Sequence, residues 1–157
     1  MESAEPVVRG RFQLSSFRES WKHCSQASNY LAKLIVDQLP DTYYLYSAVI
    51  NELFEVIFRD VGTDGIMDVE VSRSDNEILL DIRVPDVSAL AATWQAYAAA
   101  GSSPERRTDS YLDCLGSEEP NPALGLLQIS ADYDVQLDLR EDEQGATLRA
   151  TMSRGSS

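Results

Sequence analysis

Histidine and cysteine, which often bind transition metals or act in catalysis, are rare in this sequence. The 157 residues include one histidine, His23, and two cysteines, Cys24 and Cys114. His23 and Cys24 are sequence neighbours, so on a helix they would point about 100° apart and would not easily share a metal ion. The cysteines form no Cys-x-x-Cys pair and fit no disulfide framework. We therefore predict neither a metal site nor a catalytic cysteine.

A second group of candidates lies in the stretch SAVINELFEVIFRDVG, residues 47–62. Leu53 and Val56 recur at helical spacing in this stretch and are predicted to belong to the core. Glu52 and Glu55 share the same predicted helix. They could belong to a site, or they could form a solvated face, which is the commoner arrangement of such a pair. The residues by themselves leave both interpretations open.

The elements that must position these side chains follow from hydrophobic periodicity and turn residues. Their predicted order is β-α-α-β-β-α-α-α-β-β, with helices and hairpins grouped. This order predicts an α/β fold of the α+β type, a two-layer sandwich whose mixed or antiparallel sheet is covered by helices on one face. The predicted strands lie within residues 7–15, 66–85, 135–141 and 146–153, and the predicted helices lie within residues 17–35, from 41 onward, 87–100, 101–115 and 123–134.

The predicted strands have one apolar and one polar side. In the hairpin of residues 66–85, apolar residues alternate with polar ones on both sides of the turn sequence SDNE. The apolar side should pack under the helices, and the polar side should face water. The residues predicted for the wet side are Asp68, Glu70, Ser72, Asp81, Asp138 and Arg149.

Composition limits the classes of partner. The sequence has 26 acidic and 13 basic residues and a net charge of −13, so nucleic acids and anionic membrane surfaces would be repelled. A hydrophobic share of 43% with 25% charged residues is typical of a globular protein. No apolar run approaches the ~20 residues that span a bilayer, and the first residues lack the features of a signal peptide. We expect one cytoplasmic domain over residues 1–157, with disordered tails at 1–6 and 154–157.

Three stretches carry a resemblance to a known family. NELFEV, residues 51–56, resembles the N-box of the GHKL family of histidine-kinase-like ATPases. NPALGLLQISADYDVQL, residues 121–137, resembles the glycine box of that family. Residues 17–35 are similar to the first helix of the small stand-alone bacterial GHKL-like regulators. The order of helices and hairpins is similar over nearly the whole chain, which implies a Bergerat-like sandwich.

The resemblance implies specific roles for the N-box residues. In working members of the family, the glutamate at the position of Glu52 activates the attacking water or hydroxyl. The asparagine four residues later holds Mg²⁺, and that position here is Val56. An isopropyl group offers no oxygen to a hard cation. Asn51 and Glu55 are the remaining N-box candidates for contact with a nucleotide or another ligand.

The other two boxes are also incomplete by comparison with the family. Asp86 lies where the family has an aspartate that binds the adenine amino group, but the two glycines of that motif are missing. The role of helix N-cap, a position that aspartate strongly prefers, is therefore favoured for Asp86. Of the glycine box, Gly125 remains, followed by Leu126. Pro122 removes one of the backbone N–H donors that phosphates need.

Three functions follow as hypotheses. The first is a signalling regulator, a pseudo-enzyme that acts by protein–protein interaction with nucleotide binding lost or weakened. The second is an enzyme, a stand-alone serine/threonine protein kinase of a partner-switching system with Glu52 as base. The third is a small-ligand-binding module that uses the vacated pocket, lined by residues such as Val56, Trp94 and Leu126. The damaged boxes favour the first hypothesis over an enzyme.

Cofactors and partners follow from the resemblance as well. No cofactor is expected, apart from ATP with Mg²⁺ if the nucleotide site survives. The implied partner is a protein, namely a STAS-like domain, a response regulator or a kinase component. A homodimer through the first helices is the other assembly that the resemblance implies.

Overall fold

The computed structural model describes residues 5–13, 21–36, 43–61, 66–74, 77–84, 88–100, 103–118, 123–133, 135–143 and 145–153. These residues form a sheet covered by helices, so the predicted α+β sandwich is confirmed. The first strand begins at Glu5, inside the predicted N-terminal tail. The elements are β1 (Glu5–Gln13), α1 (Trp21–Val36), α2 (Tyr43–Val61), β2 (Ile66–Arg73), β3 (Glu77–Val84), α3 (Ser88–Ala99), α4 (Pro104–Leu115), α5 (Leu124–Tyr133), β4 (Gln136–Asp142) and β5 (Gly145–Ser153).

The five strands form one sheet in the order β1-β2-β3-β5-β4, and each neighbouring pair is antiparallel. β1 lies at one edge of the sheet and β4 lies at the opposite edge. Both predicted hairpins are present. In the first hairpin, the Ser74 N–H donates to the carbonyl oxygen of Glu77 at 2.9 Å, which closes the turn.

The two faces of the sheet differ as the alternation predicts. The core-facing side chains of the three central strands are Met67, Val69, Val71, Ile78, Leu80, Ile82, Val84, Ala146, Leu148, Ala150 and Met152, all buried. The opposite face holds cross-strand ion pairs. The best formed is bidentate, with Arg149 Nε and Nη2 donating to the two carboxylate oxygens of Asp81 at 2.7 and 2.9 Å. This face therefore remains polar and the helices cover the other one.

Helices α1 and α2 complete the core beside β1. The Ser47 hydroxyl of α2 donates to Asn29 Oδ1 of α1 at 2.6 Å, which links the two helices at their polar margin. Tyr46 is fully buried, so it is a core residue rather than part of a partner surface. Within the described residues, no helix is long and apolar enough to span a membrane.

Candidate functional site

Helix α2 presents the N-box residues to the first turn of α5. Val56 is 2% exposed and belongs to the core, as its spacing predicts. Asn51, Glu52 and Glu55 lie at the margin of that core and are half-buried. One helical turn separates Glu52 from Val56, so both side chains lie on the same side of α2.

Gly125 of α5 lies directly against this side of α2. A Cβ atom added at Gly125 would lie 3.1 Å from Val56 Cγ2 and 3.7 Å from Glu52 Oε2. The first of these distances is shorter than ordinary van der Waals contact. Gly125 is therefore a glycine of close approach, which lets the backbone of α5 reach the N-box helix. Two stretches that are about seventy residues apart in the chain meet at this point, which we call the Glu52–Gly125 site.

The Glu52 carboxylate has an unusual electrostatic environment. Burial raises its pKa above the ordinary value of 4.5, and the nearby charge of Glu55 raises it further. Glu55 in turn accepts a hydrogen bond from Asn51 Nδ2 at 3.3 Å. A carboxylate with a raised pKa is a stronger base than a solvated one. Glu52 therefore has the protonation behaviour of a group that can hold or accept a proton.

The raised pKa of Glu52 predicts how stability depends on pH. The folded protein binds this proton more tightly than the unfolded chain, so the contribution is fully present below about 4.5 and is lost as the pH rises through the raised value. The variant Glu52→Gln stays neutral. We expect it to be more stable than the parent protein at neutral pH and to lose that advantage in acid. Urea unfolding of both proteins at neutral pH and in acid measures the difference in their free energies of unfolding.

Glu141→Gln provides the control for this experiment, because Glu141 is an exposed carboxylate on the edge strand β4. Substitution of an exposed charge away from a structural feature usually changes stability by less than about 0.5 kcal/mol. An advantage of Glu52→Gln that persists unchanged in acid would contradict the assigned cause, since a packing gain would not depend on pH.

The residues at this site do not fit a magnesium ion. Val56, which the sequence resemblance places at a metal position, faces Gly125 with a hydrocarbon side chain that supplies no oxygen ligand. Across the described part of the chain, no group of three or more His, Cys, Asp or Glu side chains could hold a metal ion.

The other predicted site residues are placed differently. Leu126 is buried in the same hydrophobic core as Val56. Trp94, assigned to a possible ligand pocket, is half-buried, and its ring centroid lies 5.2 Å from that of Tyr97. Asp86 lies outside the described residues. The structure thus brings Glu52, Val56 and Gly125 together, with Asn51 and Glu55 beside them.

A polar cluster between α3, α4 and α5 was not singled out by the sequence. The hydroxyls of Tyr97 and Ser130 share a buried hydrogen bond of 2.8 Å between α3 and α5. The guanidinium of Arg107 in α4 lies 6.0 Å from the centre of the Tyr97 ring. The first contact links α3 to α5, and the second links α3 to α4. No signal in the sequence pairs these residues, because each lies on a different helix.

The polar face of the sheet holds a shallow depression lined by charged side chains of β1, β2 and β3. Each arginine there has a carboxylate partner: Arg9 with Glu70, Arg11 with Asp68 and Arg83 with Asp142. Paired charges of both signs give this face no net preference for an anion or a cation. We therefore place the candidate site at the helices rather than at this depression.

Comparisons with known proteins find similarity at the level of solved structures. No protein-family model matches the chain, and no curated protein sequence matches it. Among solved structures, the chain is similar to a chain in the crystal structure of the SiaB–SiaC complex from Pseudomonas aeruginosa. The TM-score is 0.59 at 19% sequence identity, and the match covers 95% of this chain and 91% of that one. The two chains share a fold at this level of similarity.

Proposed function

We propose that this chain is a signalling regulator related to the GHKL fold, which acts by binding another protein and has lost or weakened nucleotide binding. The observation that carries the proposal is the contact between Val56 and Gly125. In the family that the sequence resembles, these two positions contribute to binding Mg²⁺ and phosphate. Here a valine methyl group lies against the glycine, so the space between the two helices is filled by hydrocarbon.

The fold similarity supports a protein partner. The similar chain belongs to a complex of two proteins, SiaB and SiaC. The resemblance to stand-alone GHKL-like regulators independently implies a partner of the STAS-like, response-regulator or kinase-component type. Under this proposal, the chain is a binding component of a partner-switching system and needs no cofactor of its own.

A second candidate function rests on Glu52. Its carboxylate is half-buried beside the first turn of α5, and its pKa is raised by burial and by the charge of Glu55. Such a group could accept the proton of a serine or threonine hydroxyl, as in the GHKL protein kinases. We propose the kinase as the alternative because Glu52 has retained both its identity and a suitable environment.

Calorimetric titration with ATP and ADP, with and without Mg²⁺, separates the two candidates. We expect no saturable heat at millimolar nucleotide, because Val56 supplies no metal ligand and its methyl group lies against Gly125. Micromolar binding that requires Mg²⁺ would contradict the regulator proposal. Phosphate transfer to a co-purifying protein would then be measured in Glu52→Gln, with Glu141→Gln as the carboxylate control, because Glu141 is exposed on β4 and lies outside the site.

A further inference from the structure

Helix α4 carries two large apolar side chains on its outer surface. Leu112 is 57% exposed and Leu115 is 59% exposed. They are three residues apart, so they lie side by side on one face of the helix. The adjacent face of α4 already packs inward, where Tyr111 and Cys114 pack against the core. The exposed pair, which we call the α4 leucine patch, is therefore additional to what α4 needs for packing.

Exposed acidic residues lie close to the α4 leucine patch along the chain. They are Asp109, Asp113 and Glu118, each within three residues of Leu112 or Leu115. The two bases of α4, Arg106 and Arg107, lie in the first turn, and the last turn contains none. The C-terminal end of a helix carries the negative end of the helix dipole, where carboxylates are unfavourable and cations are preferred. Stability of α4 does not account for this combination of exposed leucines and misplaced acids.

We propose that the α4 leucine patch is the docking surface for a protein partner whose apolar contact residues are surrounded by lysine and arginine. This inference rests on the proposed function, because it assigns the partner-binding surface of the regulator. Charge complementarity selects the partner: the acidic rim attracts a basic surface and repels nucleic acid and anionic lipid. A second copy of this chain would bring the same carboxylates face to face across a two-fold contact, which is unfavourable.

The test uses a synthetic amphipathic helical peptide made of leucine and lysine as the probe, titrated by fluorescence anisotropy against the full chain. We expect saturable binding that weakens as salt is raised. Binding of the peptide should weaken about tenfold or more in Leu112→Glu and in Leu115→Glu, because each variant removes an apolar contact that the bound peptide would bury. Each variant also adds a negative charge, so attraction by charge alone would strengthen rather than weaken binding of this peptide.

Tyr30→Glu is the matched control. Tyr30 is 61% exposed on α1, and the substitution makes the same change in polarity and charge away from the patch. We expect Tyr30→Glu to bind the lysine peptide as the parent does. A peptide with glutamate in place of lysine should not bind. Circular dichroism and thermal unfolding of all variants confirm that the exposed substitutions leave the fold intact.

Three results would overturn the docking surface: no binding of the lysine peptide, unchanged or tighter binding in both leucine variants, or a leucine-dependent dimer of the chain in sedimentation. These results are distinct from failure of the proposed function. Saturable ATP binding would overturn the regulator proposal and leave the peptide titration unchanged. If Leu112→Glu and Leu115→Glu bound the peptide as the parent does, the docking surface would be overturned. The nucleotide titration would still show no binding of ATP in that case.

Discussion

Replacing Phe54 by alanine is expected to lower the free energy of unfolding by about 3–5 kcal/mol. Phe54 lies on α2 and is 0% exposed. Its ring centroid is 5.7 Å from that of Phe12 in β1, with the ring planes inclined by 57°. Alanine at this position would leave a cavity between the N-box helix and the edge strand, and it would remove the aromatic pair. Denaturation by urea, followed by tryptophan fluorescence, measures the loss.

Two further variants test the cause of this loss. Phe54→Leu retains most of the buried volume and should cost less than about 1.5 kcal/mol. Phe12→Ala should cost less than Phe54→Ala, because Phe12 is partly buried at the sheet edge. The double variant should show a coupling of about 0.5–1.5 kcal/mol between the rings. Losses below about 1 kcal/mol in Phe54→Ala would contradict the position of this ring in the core.

The hydrophobic periodicity of the sequence predicts the helices and strands well, because it depends on residues that are close together in the chain. Val49 and Leu53 recur at helical spacing and are buried on α2. Met67 and Val69 alternate with Asp68, and the alternation assigns the inner and outer faces of β2 correctly. In these segments the buried face of each element coincides with the period of its backbone, so the pattern alone identifies the face. The short turns predict antiparallel pairing within the two hairpins, β2–β3 and β4–β5, whereas the pairing of β1 with β2 and of β3 with β5 did not follow from them.

The site is harder to predict, because it depends on contacts between distant segments. The chain shows Gly125 and Val56 as separate positions, and the resemblance to GHKL proteins gives each a role. The 3.1 Å approach between their side-chain positions depends on how α5 packs on α2. The exposure of Leu112 and Leu115 is equally hard to predict from the sequence. Apolar residues at helical spacing indicate a core face, but in α4 it is Tyr111 and Cys114 that pack against the core.

Replacing Gly125 by valine is expected to lower the free energy of unfolding by about 1–3 kcal/mol, the usual cost of overpacking a core. A Cβ at this position would lie 3.1 Å from Val56 Cγ2, and the two γ carbons of valine would extend the clash. Gly125 lies inside α5, where glycine is intrinsically the poorer helix former, so propensity alone would make the substitution favourable. The contact with Val56 therefore decides whether Gly125→Val raises or lowers the free energy of unfolding.

A double-mutant cycle isolates that contact. Val56→Ala alone should also destabilise the protein, because it leaves a cavity beside Gly125. In the double variant Gly125→Val with Val56→Ala, the new side chain occupies the vacated space, so the two losses should not add. We expect a favourable coupling of about 0.5–3 kcal/mol, measured by urea unfolding of all four proteins. Additive losses would mean that α5 moves away from α2 to admit the valine. The contact between Val56 and Gly125, which supports the proposed loss of nucleotide binding, would then be loosely packed.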